Sequence, residues 1–338
     1  MSLLRHILLT SICVLGAAAF TGCHLVDEDM SECGTDFNLD YELQLVTDIT
    51  TELSTELSME SDLEISSLLQ QDLEGVFVEY AQDVDLSFYG TDGSGLRLKH
   101  MSEVMNASQT SYTLYLPVRE YEHCAVANLK DNGAVTLVGD DNSHTARLEQ
   151  HAVDGIAPVH GTGLFTARQD IKVLSGMDQH FEVHLHMANA SSVLVLDLSE
   201  APNVEEVTVL AEGFATGFNI ADSTYVFDGA QRNATREIDT EDALRRSFVA
   251  VHFPSRDAPE TKAEEDTQDL WRWLVYARMK DGTTTETVLH MQEPRPAGSF
   301  DILTGSVREN GVIQPSDYRV GASVTLDWHE GISAPIEF

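Results

Sequence analysis

The chain has 338 residues, of which 42% are hydrophobic, and carries a formal charge of -36 at pH 7. That length and apolar content suffice for two domains with real cores and exclude a chain disordered by composition. The acidic excess repels nucleic acid and anionic lipid head groups, so charge-driven binding to either is excluded.

In chain order, the first element is a leader. Arg5 and His6 form a basic start, and Ile7 to Phe20 is apolar except for Thr10, Ser11 and Gly16. Phe20-Thr21-Gly22 then supplies small residues directly before Cys23. A basic start, a short apolar core and a small-residue cleavage site predict an export signal over 1–22, too short to span a bilayer. A cysteine at the first mature position resembles a bacterial lipobox, which predicts a lipid on Cys23; an ordinary signal with a coincidental cysteine is the alternative. Several acyl chains anchor stably, since each buried CH₂ contributes about 0.8 kcal/mol and one chain alone is marginal. Cleavage removes Arg5 and no acid, leaving 19 basic against 56 acidic residues. Nothing after Cys23 is apolar for long enough to cross a membrane.

Residues 23–32 read as an acidic tether, with Asp27, Glu28, Asp29 and Glu32 lacking basic partners. With Cys13 in the leader and Cys23 lipidated, Cys33 and Cys124 remain, an even number in an exported chain. They are read as one disulfide, contributing on the order of 4 kcal/mol, with two free buried thiols as the alternative.

Phe37, Leu39, Tyr41, Leu43 and Leu45 alternate with polar residues, which predicts a strand with one buried face. Thr47–Leu73 instead places Ile49, Leu53 and Leu57 at helical spacing and predicts an amphipathic helical insertion. Alternation returns at Val84/Leu86/Phe88, Tyr112/Leu114/Leu116, Phe181/Val183/Leu185/Met187, Val207/Val209, Trp271/Trp273/Val275 and Val324/Leu326/Trp328. Turn pairs punctuate these runs: Asp92-Gly93, Asn132-Gly133, Asp154-Gly155, Asp228-Gly229, Asp281-Gly282 and Asn310-Gly311. Many short strands with regular turns predict an all-β chain of two antiparallel β-sandwich domains, 33–175 and 176–338, with the helical insertion in the first. Ala258–Gln268 reads as a charged surface loop.

Few residues point to chemistry. His180, Glu182, His184 and His186 alternate along one strand and share a face, where imidazoles two apart could hold Zn²⁺; a solvated outer face is the simpler reading. Trp271 and Trp273 share a face as a sugar platform or as core. No nucleophile elbow, phosphate loop or complete Ca²⁺ loop occurs. The expectation is a protein that is not an enzyme and needs no cofactor.

Several motifs in order resemble the FimB/Mfa-type fimbrial anchor and minor-subunit lipoproteins of Bacteroidetes. They are the lipid cysteine, Asp29-Met-Ser-Glu-Cys33, Val84-Asp-Leu-Ser-Phe-Tyr89 before an Asp-Gly turn, and Leu116-Pro-Val-Arg-Glu-Tyr121 followed by Cys124-Ala-Val-Ala-Asn-Leu129. Gly163-Leu-Phe165, Phe181–Leu185 and Trp328 continue the pattern, while Glu120 and Val126 stand where that family has Gly and Trp. The resemblance implies two transthyretin-like β-sandwiches in tandem in an outer-membrane lipoprotein, surface-exposed, that anchors or terminates a fimbrium. Its partners would be the fimbrial shaft or other minor subunits, joined by β-strand pairing, with Val324–Phe338 as the candidate joint or simply the last core strand. Shaft subunits of such fimbriae are trimmed near the N-terminus by trypsin-like proteases. This chain has no Lys or Arg between Cys23 and Arg97, which fits an anchor that keeps its first strand. A surface glycan- or ligand-binding lipoprotein is the second reading, and an exported metal-dependent hydrolase the third.

Overall fold

The computed structural model describes residues 34–42, 68–69, 71–72, 76, 83–104, 111–175, 179–238, 244–257, 269–316 and 320–325. In the first half the strands are β1 (Gly34–Glu42), β2 (Asp83–Gly90), β3 (Arg97–Val104), β4 (Ser111–Pro117), β5 (Glu120–Ala127), β6 (Val135–Val138), β7 (Arg147–Gln150), β8 (Ile156–Ala157), β9 (Phe165–Lys172), β10 (Gln179–His184) and β11 (His186–Met187). The second half contributes β12 (Ala190–Asp197), β13 (Val204–Glu212), β14 (Gly217–Asn219), β15 (Thr224–Val226), β16 (Arg232–Ala234), β17 (Arg236–Ile238), β18 (Arg245–His252), β19 (Trp271–Met279), β20 (Thr284–Met291), β21 (Phe300–Val307), β22 (Ile313–Pro315) and β23 (Val320–Thr325).

These strands form five sheets: β10-β1-β4, β11-β9-β5-β2-β3, β17-β18-β12-β21-β22, β23-β20-β19-β13-β16-β8 and β15-β14-β7-β6. Most pairings are antiparallel, in keeping with the all-β expectation. The turn chemistry explains the connections: all six expected turn glycines have positive φ. At Asp154-Gly155 both residues do, with φ of 52° and 78°. Val153 and Ile156 exchange two backbone hydrogen bonds of 2.9 Å across that turn. A two-residue turn with both φ values positive matches the twist of its flanking strands, and Gly reaches that conformation without a Cβ clash.

The core is divided by these sheets. Leu86 and Phe88 of β2, Ala125 of β5, Leu114 and Leu116 of β4 and Val183 of β10 pack together between the first two sheets. Val193, Val195, Val249 and Val251 from the β12 sheet join that same cluster. The other face of the β12 sheet, with Leu194, Leu196, Phe248 and Ala250, packs on Trp271, Trp273, Val207 and Val209. The β12 sheet is therefore buried on both faces and is shared by the two halves.

The halves are also stitched through the backbone. β7 pairs with β14 in the four-stranded sheet, and β8 runs parallel to β16. β10 pairs with β1 and β11 with β9, so first-half sheets extend through Met187, past Gly176.

Of the expected helical insertion only a few residues are described, and no helix stands as an element among the described residues. Residues 68–69 and 71–72 have helical backbone. Leu69 is fully buried in the first core, and Asp72 accepts a 2.6 Å hydrogen bond from Arg236. No helix among the described residues is long and apolar enough to cross a membrane.

Candidate functional site

The first strand is the feature that bears most on function. β1 is the central strand of its sheet. It runs parallel to β10 from Phe37↔Gln179 to Glu42↔His184 and antiparallel to β4 from Gly34↔Pro117 to Asp40↔Ser111. A strand paired on both sides presents no open row of N–H and C=O groups, unlike an edge strand. The chain thus fills this position in its own sheet with its own N-terminal strand. Cys23 and Cys33 lie just before it, outside the described residues.

Cys124 is a free, buried thiol, and Cys33, the other half of the expected bridge, lies outside the described residues. Cys124 lies in β5, between β2 and β9, and packs with Tyr89, Val126 and Leu148. Its neighbour Ala125 faces the opposite side, toward the cluster shared with the β10-β1-β4 sheet. Successive strand side chains alternate faces, so Cys124 points away from the sheet in which β1 begins. Burial, reinforced by the nearby Glu122 carboxylate, pushes its thiol up to about 12. A thiol so protonated is a poor nucleophile and acts here as a core side chain.

The His180–His186 run divides between two strands. His184 ends β10 opposite Glu42, and His186 opens β11 opposite Thr166. Both are exposed, with buried Leu185 between them. His180 sits opposite Asn38 in the ladder. Among the described residues there is no group of three or more His, Cys, Asp or Glu side chains able to hold a metal ion. Trp271 and Trp273 are core: they are 1% and 0% exposed, and their rings meet edge-on at 5.7 Å. The Trp271 indole N–H donates to the Glu293 carbonyl at 2.9 Å. No sugar can stack on either ring.

The junction between the halves holds a buried polar chain that the sequence reading missed. The Asn189 amide donates to His160 Nδ1 at 3.3 Å, and His160 Nε2 donates to Gln150 Oε1 at 3.3 Å. Gln150 in turn donates to Asn233 Oδ1 at 2.6 Å. Asn189 also donates to the Thr162 carbonyl and accepts from the Leu164 N–H. Every donor meets an acceptor only if His160 is neutral. Nearby, His252 Nδ1 donates to the Phe253 carbonyl at 2.7 Å, which leaves Nε2 to accept from Ser192 at 3.1 Å. Burial pushes both imidazoles down to about 3, and that of His123 in β5 down to about 4. No motif announced this network, because its members lie far apart in sequence.

The chain aligns with a "putative adhesin" from Bacteroides ovatus over 88% of its own length and 96% of the other, at 11% identity and a TM-score of 0.53. It aligns with "putative polysaccharide binding proteins" from Bacteroides thetaiotaomicron over 85% and 97%, at 9% identity and a TM-score of 0.50. The chain shares their fold. The fimbrial anchor protein Mfa2 from Porphyromonas gingivalis aligns over 87% and 98%, at 11% identity and a TM-score of 0.46. No protein-family model and no curated protein matches the sequence.

Proposed function

We propose that the protein is an outer-membrane lipoprotein that anchors or terminates a fimbrium, with the lipid on Cys23 and a structural rather than enzymatic role. The observation that carries this reading is the placement of β1 between β10 and β4. A subunit that keeps its first strand has no groove there for a neighbour's strand, which suits a terminal position. The absence of Lys and Arg from Cys23 to Leu96 supports the same conclusion, since a trypsin-like protease has nothing to cut before β2. The fold shared with the "putative adhesin" from Bacteroides ovatus supports a role at the cell surface. The two sheet pairs are read as tandem transthyretin-like sandwiches. The burial of Trp271 and Trp273 takes away the aromatic platform on which the glycan-binding reading depended.

The partner is a shaft or minor subunit, joined by strand addition. β23 is the edge of its sheet, paired with β20 alone among the described residues. Its unpaired side can accept an incoming strand whose main chain supplies affinity. Of the candidate joint at Val324–Phe338, Val324 lies in β23 and residues 326–338 fall outside the described residues.

Replacing Cys23 tests the anchor. Cys23→Ala is expected to move the folded protein from the membrane fraction to the soluble fraction, because the acyl chains are its strong membrane contact. A mutant that remains embedded would contradict the lipid assignment.

A further inference from the structure

We propose that β1 and β10 form a shear clamp that bears tension between the N-terminus and the second half of the chain. The strands are parallel, with six register pairs from Phe37↔Gln179 to Glu42↔His184. In a parallel pair both N-terminal ends lie together. The chain enters β1 at Gly34 and leaves β10 at His184, which is the opposite end of the ladder. From there it passes through β11 and reaches β12, the strand buried between both cores, at Ala190. Tension applied before Gly34 and resisted in the second half therefore slides β1 and β10 past each other along their axis.

The direction of load decides how the ladder fails. Under shear, all its hydrogen bonds are strained together and must be lost in concert. Under a load from the Glu42 end, which lies beside the exit of β10, the same bonds open one after another. Forced unfolding is governed by the unfolding barrier and not by equilibrium stability, so the same strand can be strong one way and weak the other. β4 reinforces the clamp with seven further pairs on the other side of β1. The backplate is braced by the β7–β14 and β8–β16 pairings and by the core that the β12 sheet shares between the halves. That load enters at the N-terminus rests on the anchor reading; the shear geometry itself does not.

Optical-tweezer pulling on the chain from His24 to Phe338 tests this. One handle is placed in the Asp281-Gly282 turn of the β19–β20 hairpin. The other is placed either directly before Gly34 or directly after Glu42, so that β1 is loaded from one end or the other. Both handle-bearing proteins are first shown to share one denaturation midpoint. The first rupture is expected at a force at least about twofold higher when β1 is pulled from Gly34. Equal forces, or a lower force from the Gly34 side, would overturn the clamp. The measurement needs neither lipid nor fimbria, so a clamp that fails here leaves the anchor reading standing, and a Cys23→Ala failure leaves the clamp standing.

Discussion

Two sheets of the second half have the same strand chemistry and opposite surroundings. The sheet around β19 has an outer face that is wet towards its ends and carries only a small buried patch, Leu210, Leu274 and Val288, between them. On that face Arg272 pairs with Glu212, and Arg278 with Glu206 and Glu205, while Trp271, Trp273 and Val275 point into the core. The sheet around β12 has no wet face at its centre: Val193 and Val195 fill one core while Leu194 and Leu196 fill the other. The first sheet covers one core, and the second lies between two. A protein that must transmit force or hold a fixed shape needs the second kind, because a joint made of packed side chains and strand pairs cannot swing like a linker. The difference also decides how each sheet responds to perturbation.

The largest expected effect is acid sensitivity, centred on the doubly buried region. His252 ends β18 in the β12 sheet, with Ser192, Phe214 and Arg295 about it, and His160 and His123 are equally enclosed. Their folded pKa values lie near 3 or 4, against about 6.5 in the unfolded chain. Below pH 6.5 the unfolded chain binds protons that the folded chain refuses, so stability is full above 6.5 and falls as pH drops toward 4. Each histidine steepens that fall by up to about 1.4 kcal/mol per pH unit. Unfolding free energies from denaturant titrations at pH 7.5 and pH 5.0 should differ by several kcal/mol, and His160→Asn should make the fall shallower. A flat profile would mean that these imidazoles are hydrated in the folded state.

Substitutions along single strands sharpen the contrast. In β12, neighbours on opposite faces should both be intolerant. Leu194→Ala is expected to cost about 2–5 kcal/mol, and Val193→Ala should also destabilise measurably. In β19 the cost should alternate. Trp273→Ala is expected to cost at least about 3 kcal/mol, whereas Arg272→Ala, half exposed beside Glu212, should cost no more than about 1 kcal/mol. Chemical denaturation of the four variants reads this directly. Tolerance of Val193→Ala would indicate that the core shared between the halves is loose.

The same contrast explains what the sequence made legible. Apolar and polar residues alternate along β2, β4, β10 and β19, so these strands were visible as period-two runs, and Asp-Gly pairs marked the turns after β2 and β19. β12 and β18 were not visible. Val193-Leu-Val-Leu196 and Phe248-Val-Ala-Val251 are continuous apolar runs, because neither face meets water. Parallel pairing of β1 with β10 was equally hidden, since nothing local links residues so far apart. The pairing of Cys33 with Cys124 rests on number and compartment alone, and the face of β5 on which Cys124 packs, with Tyr89 and Val126, is something no count of cysteines reveals. Trp271 and Trp273 showed their common face in the sequence, but only packing distinguished core from platform.

On the proposed anchor reading the mature protein keeps its own first strand and its lipid. Intact-mass measurement of the protein extracted from the outer membrane is expected to find a species beginning at acylated Cys23 and including Gly34–Glu42. A mature N-terminus beyond Glu42 would leave β10 and β4 without their shared partner and would contradict the assignment as an anchor.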